Sequence, residues 1–349
     1  MSSSIDIKAG GLSGLRSLMR KWEYEPYRAE QIGRWLYKHD VPKFSRMSNL
    51  PHSLVNRLEN ETVLSRASVL KQALSSDGSI KALVAFEAGE SVELVYIPLR
   101  QRASVCISSQ TGCAMGCVFC ATALRGRGRN LNVGELLEQY YIVQRPHPNG
   151  LGREKPSHIV FMGMGEPLRN TAQVLEAIRI LTWSRGPGYS PRRITVSTCG
   201  VEDGIRELAE SGSGVRLAIS LHSPFEEERR DLMPGAGRLT GIIPQAREYA
   251  DRYKQRITFE YTLFKDVNDS LRHARALAAL CRTLPSKVNI IPWNPVPGIP
   301  CQPSPLRAVE SFIAYLKPRV PAVTLRRSRG ADIGGGCGQL AGPSEDHLQ

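Results

Sequence analysis

The chain of 349 residues contains no run of about 18 consecutive apolar residues, so no transmembrane helix is expected. Its opening, MSSSIDIKAG, lacks a basic segment followed by an apolar one, and no secretory signal peptide is expected. Cysteines number eight and are mostly isolated. That excludes the dense disulfide framework of small secreted domains and points to a reducing cytoplasm. No internal repeat and no low-complexity tract occur. Acidic residues are scarce: 33 Asp and Glu stand against 46 Lys and Arg, a formal charge of +13. Basic clusters lie at RGRGRN (Arg125 to Asn130), PRR (Pro191 to Arg193), ERR (Glu228 to Arg230) and RRSR (Arg326 to Arg329). Each alone reads as scattered surface arginine, but together they favour a polyanionic partner, most simply RNA or DNA.

What is present is a globular composition, 41% hydrophobic and 23% charged, in a chain long enough for one large domain plus a small one. Residues 1–60 read as a helical accessory domain, with Leu12, Leu15, Leu18 and Met19, then Ile32, Trp35 and Leu36, at helical spacing. Residues 61–98 read as a β-rich connecting extension, carried by SIKALVAF and SVELVYIP. From about 99 to 330, strand candidates such as ASVCIS, SHIVFM, RITVST, VRLAISL, ITFEYTL, KVNIIP and AVTLR are mostly separated by helical patterns. The expected class is α/β, with a parallel sheet curved into a partial (β/α) TIM-type barrel. Residues 331–349 form a Gly-rich carboxy-terminal segment. Chemistry in such barrels collects at the carboxy-terminal ends of the strands.

Those ends carry the notable polar residues. GCAMGCVFCATA (Gly112 to Ala123) places Cys113, Cys117 and Cys120 in a C-x3-C-x2-C spacing, and no further cysteine follows for seventy residues. A closed zinc site and a common iron–sulfur cluster each want four ligands. Three thiolates can instead hold three irons of a four-iron cluster and leave the fourth open to a chelating ligand. The rival is a Cys3His zinc site completed by His147 or His158. GMGEP (Gly163 to Pro167), Ser197, Ser220, His222, Asn294 and Cys337 fall at other strand ends. Individually, a strand-end turn explains GMGEP and a hydrogen-bonded core residue explains His222.

In order along the chain stand CISSQTGCAMGCVFCATA, GMGEPL, SLHSP, IPWNP and CGQLAG. With them the sequence resembles the radical S-adenosylmethionine (SAM) superfamily and, within it, the RlmN/Cfr family of adenosine C-methyltransferases, from about residue 90 to 342. The resemblance implies that Cys113, Cys117 and Cys120 bind one 4Fe-4S cluster whose open iron takes the amino and carboxylate groups of SAM. It implies that Gly165 and Glu166 contact the methionine ammonium, and that Ser197, Ser220, Leu221, His222 and Asn294 complete the cofactor site. Physically, a glycine admits close approach and a carboxylate pairs with a cation.

An adenine ring carbon has no lone pair with which to displace a methyl group, whereas a thiolate is a good nucleophile. The resemblance implies two SAM molecules per turnover. One methylates Cys337; the other yields a 5′-deoxyadenosyl radical that takes hydrogen from the S-methyl group, and the resulting carbon radical adds to the base. Glu93 matches the family's proton acceptor and Cys106 its resolving thiol, which implies a disulfide bond at some stage. A solvated strand position and a buried strand cysteine are their plainer explanations. The expected substrates are adenine-2503 of 23S rRNA and adenine-37 of tRNA, methylated at C2, with a flavodoxin- or ferredoxin-type electron donor. C8 methylation, a glycyl-radical activase and a zinc-stapled RNA-binding protein are the alternatives. The chain departs from the family pattern in CATA, in GRGRNL with Arg127, and in ADIGGGCG.

Overall fold

The computed structural model describes residues 5–87, 89–326 and 328–341. The end of the Gly-rich segment, including Gly342 of CGQLAG, and Arg327 of RRSR lie outside the described residues. The strands are β1 (Ile5–Asp6), β2 (Thr62–Val63), β3 (Ser68–Leu74), β4 (Ile80–Ala85), β5 (Ser91–Leu99), β6 (Arg102–Ile107), β7 (His158–Phe161), β8 (Ile194–Thr198), β9 (Arg216–Ser220), β10 (Ile257–Leu263), β11 (Ser286–Pro292) and β12 (Val323–Leu325). The helices are α1 (Gly11–Lys21), α2 (Tyr27–Tyr37), α3 (His52–Glu61), α4 (Ala121–Leu124), α5 (Val133–Gln144), α6 (Thr171–Thr182), α7 (Glu202–Glu210), α8 (Glu226–Leu232), α9 (Leu239–Tyr253), α10 (Leu271–Cys281) and α11 (Leu306–Leu316).

Strands β6 to β12 pair in chain order and in parallel, and at least one helix bridges each consecutive pair. The two edges of the sheet, β12 and β3, do not pair with each other, which makes the barrel partial. Antiparallel β3, β4 and β5 join β6 and extend the same sheet as a wing. The β-rich extension therefore shares the hydrogen-bonded sheet of the barrel.

Helix α5 shows how local sequence sets these elements. Asn132 caps it by accepting from the Glu135 N–H, while Glu135 reaches back to the Asn132 N–H, a capping box. Helix α1 packs on α2 and α6, and one continuous apolar core runs from Ile7 to Leu340. Buried charges weld the amino-terminal helices to α5. Lys8 donates to Glu138 (2.6 Å), and Arg145 bridges Glu138 and Asp40 (2.6 Å to each). Burial alone would raise the Glu138 carboxyl, but Lys8 and Arg145 outweigh it and hold it down to about 2.

A candidate active site at the strand ends

The C-terminal strand ends of the partial barrel open on one cavity, and Cys113, Cys117, Cys120, Gly165, Glu166, Ser197, Ser220, His222, Asn294 and Cys337 all line it. The cysteine loop is wound tightly: a Cβ on Gly112 would lie 2.6 Å from the Gly126 carbonyl, so GRGRN packs its backbone directly on the loop. Below, Met115 and Phe119 join Phe264, Trp293 and Val296 in a second apolar cluster. The Pro-rich stretch from Ile291 to Pro305 is thus a packed floor as well as a loop, and Trp293 Nε1 donates to the Phe119 carbonyl at 3.2 Å.

The donor chemistry fits a cluster. Burial pushes the Cys113 thiol up to about 11 and drives Cys117 well above its ordinary value, where the charges of Cys120 and Cys113 add to it. A coordinated metal reverses that logic and deprotonates a thiol outright. His147 and His158 do not line the cavity. His158 begins β7, at the opposite end of the barrel, so neither histidine named for the Cys3His zinc alternative is at hand as its fourth ligand.

Glu166 places a buried carboxylate in the cavity wall. It is 4% exposed, and its carboxylate accepts the N–H groups of Leu168 and Cys199, each at 2.9 Å. Burial raises its pKa, against the pull of those hydrogen bonds. An ammonium group would offset that burial. Gly165 has φ +92°, and a Cβ there would strike Gln110 at 2.5 Å. Gln110 Oε1 in turn accepts from the Glu166 N–H at 2.8 Å.

His222 is no general base here. Its Nδ1 accepts the Thr262 N–H at 2.9 Å, its ring stands edge-on to Phe119, and burial with the Arg229 charge lowers its pKa to about 3. The imidazole is neutral, with Nε2 left as the donor. Leu221 is fully buried and, unlike Ser220 and His222, does not line the cavity; its N–H is bonded to the Glu260 carbonyl. Asn294 donates from Nδ2 to the Cys337 carbonyl at 3.1 Å.

The segment carrying Cys337 is a strap tied along its length. Asp332 accepts from Ser75 Oγ (2.6 Å) and Ser76 N–H (3.0 Å) at the β3–β4 turn. Ala121 N–H and Thr122 Oγ1 donate to the carbonyls of Gly338 and Leu340. Glu93 and Cys106 stand apart from the shared cavity. Glu93, 6% exposed, pairs with Lys81 at 3.0 Å, accepts the Ala341 N–H at 2.8 Å, and lines the adjacent cavity beyond the strap. It is not a solvated strand position. Cys106, buried on β6, is pushed up to about 12 by burial and then by the charge of Cys337, which places the two sulfurs within electrostatic reach. All eight cysteines are free, so the implied disulfide is not formed.

Sequence reasoning left out Arg326, Glu260, Thr262 and Cys199, which also line the cavity. ERR reads as surface arginine, yet Arg229 is 1% exposed and donates to the carbonyls of Gly237, Cys199 and Ser220 beneath the site. The signal available was the alternation of strand residues, which gives Arg326 the same parity as Thr324, the residue whose Oγ1 donates to Asn289 Oδ1. Arg129 of RGRGRN is likewise structural, paired with Glu90 and, through two hydrogen bonds, with Glu135.

Comparison with known proteins decides the family. The radical SAM superfamily profile matches residues 107–278, and the ribosomal RNA large subunit methyltransferase N-terminal domain profile matches residues 10–64. A probable dual-specificity RNA methyltransferase RlmN from Thermus thermophilus is 44% identical over 91% of this chain and 89% of its own length. The chain belongs to the RlmN family. Another RlmN, the dual-specificity RNA methyltransferase of Alkalilimnicola ehrlichii, is 39% identical over 96% of this chain and 93% of its own. A radical SAM methyltransferase from Sphaerobacter thermophilus superposes with a TM-score of 0.87 at 36% identity, covering 96% of this chain and 99% of that one. As an RlmN-family member, the protein is a radical SAM enzyme that methylates RNA and uses SAM and a 4Fe-4S cluster. Among the described residues no helix is long and apolar enough to cross a membrane.

Proposed function

We propose that the protein methylates C2 of adenine-2503 in 23S rRNA and of adenine-37 in tRNA, by way of a methylated Cys337 and a covalent RNA adduct. The observation that carries this reading is that Cys337 lines the same cavity as Cys113, Cys117 and Cys120. A glycyl-radical activase needs the cysteine triplet but has no use for a further cysteine held there. The relatives' printed description as dual-specificity RNA methyltransferases supports two RNA substrates.

In this reading Cys113, Cys117 and Cys120 are the only protein ligands of the cluster. Bound SAM, two molecules per turnover, supplies a methyl group and a hydrogen-abstracting radical. Gly165 and Glu166 hold the cofactor's ammonium group. Ser197, Ser220, Leu221, His222 and Asn294 form the rest of its seat, with His222 donating from Nε2. Cys337 gives up its thiol proton, bonds the methyl carbon and later presents that carbon to the base. Glu93 takes the ring proton, and Cys106 releases the product carbon by bonding the Cys337 sulfur. Residues 1–60 act as an accessory domain, 61–98 as a connecting extension and 99–330 as the catalytic core. The carboxy-terminal segment from 331 to 349 carries the methyl acceptor. A flavodoxin- or ferredoxin-type protein delivers the electron, in the cytoplasm.

Mass spectrometry of nucleosides from 23S rRNA and tRNA, with and without the protein, tests the substrate and the ring carbon together. The reading expects 2-methyladenosine in both RNAs only when the protein is present. A signal of 8-methyladenosine without 2-methyladenosine overturns it.

A further inference from the structure

The amino-terminal mouth of the barrel, opposite the site, carries a pattern that catalysis does not use. Arg102, His158, Arg193, Arg216, Arg256 and Lys287 stand at or beside the first residues of β6, β7, β8, β9, β10 and β11. Each lies four residues before a lumen position at the other end: Cys106, Met162, Ser197, Ser220, Glu260 and Ile291 respectively. All of these but Cys106 line the catalytic cavity. Strand residues an even number apart share a face, so the six belong to the lumen face of the sheet. Strand register agrees: Ile159 pairs with Ile194, Thr195 with Arg216, and Thr258 with Lys287.

Four of the six, Arg102, Arg193, Arg216 and Arg256, are exposed, while His158 and Lys287 are half-buried. None forms an ion pair among the described residues. They do feel one another. Burial, then the charges of Arg102, Arg193 and Arg216, holds His158 below its ordinary range. Burial, then Arg216, does the same to Lys287, although the buried Glu260 above it pulls the other way. Four arginines, a lysine and a histidine without an ion-pair partner repel each other. Such an arrangement is stabilised by an anion that bridges it.

We propose that this basic arc is a second RNA-docking surface, which holds the phosphate backbone of a part of the substrate remote from the target adenine. Six adjacent strands about 4.8 Å apart span about 24 Å, too wide for a single phosphate group and suited to several successive phosphates. Arg256, at the start of β10, and the cavity-lining Glu260 are four residues apart, so about 13 Å of strand separates this mouth from the catalytic cavity. An RNA that reaches both must fold around the barrel, so the surface serves a long folded rRNA and is idle toward a short stem-loop. The inference rests on the RNA methyltransferase activity of the family.

The test compares wild type with an R193A/R216A/R256A triple variant. Binding of a long 23S rRNA transcript, and of a short stem-loop bearing the same adenine, is titrated over a range of salt. Removing three phosphate contacts is expected to lower the salt slope for the long RNA by about three and to weaken its binding about tenfold or more at low salt. Stem-loop affinity and stem-loop methylation should not change. Lysine at the same three positions should restore the slope. Wild-type affinity and slope for the long RNA in the alanine variant overturn the proposal, as does equal weakening toward both RNAs. If the triple variant fails to methylate the stem-loop, the single variant R256A replaces it, with an expected slope change of about one; an unchanged slope overturns the proposal. If wild type itself methylates neither RNA, it is the functional reading that fails.

Discussion

His222 occupies the left-handed region of backbone space at φ +56°, a strained choice for a non-glycine residue. The strain is held by two contacts: Thr262 N–H on Nδ1, and Asn268 Nδ2 on the His222 carbonyl at 2.6 Å. Because its folded pKa is lowered to about 3, while the unfolded value is about 6.5, only the unfolded chain takes a proton between those values. Its stabilising contribution is therefore full above pH 6.5 and lost progressively as pH falls toward 3. Denaturant titrations at pH 7 and pH 5 should show wild type losing stability on acidification, and His222→Asn losing less. Equal losses would mean that His222 is not buried neutral. Gly165 gives a second expectation at this scale. Gly165→Ala must place a Cβ 2.5 Å from Gln110 at φ +92°, costing about 1–3 kcal/mol. Equilibrium dialysis should show SAM affinity lowered about tenfold or more, and unchanged affinity would make GMGEP a plain turn.

Among the elements, the strap that carries Cys337 is where sequence and structure part. The run GGGCG reads as a source of mobility, yet the strap is pinned by Asp332 at one end and by Thr122 and Glu93 at the other. These partners lie more than two hundred residues away in sequence, and nothing local in the sequence announces them. Asp332→Ala removes the bonds to Ser75 and Ser76. Limited proteolysis should then cut near Gly334–Gly336 faster, with the midpoint of global unfolding unmoved. Cleavage at the wild-type rate would show that the other ties suffice. The strands were far more legible. Alternation marks every strand from β4 to β12 but not the seven-residue, largely exposed β3, because in the barrel strands a lumen face of serine, threonine and charge opposes a helix-packed apolar face. Helices α8, α9 and α11 escaped notice; α9 hides behind Pro244, and α8 is a seven-residue run of charge. Of the site, the cysteine spacing and GMGEP were readable as motifs. The supporting Arg229 and the lumen-facing Arg326 were not, since arginine clusters read as surface until the fold turns one of them inward.

At the scale of the whole molecule, one curved sheet gathers chemistry at its carboxy-terminal edge and charge at its amino-terminal edge. Its antiparallel wing supplies Glu93, and β6, where wing and barrel meet, supplies Cys106. The central claim is that carbon reaches RNA through Cys337, with Cys106 acting only after the bond to the base exists. The most direct measurement is the intact mass of Cys106→Ala protein isolated from cells, before and after nuclease treatment. The account predicts a covalent protein–RNA species that nuclease collapses to the protein plus a nucleotide remnant, mapped by peptide sequencing to Cys337. Normal turnover of Cys106→Ala with no RNA-linked species would contradict it.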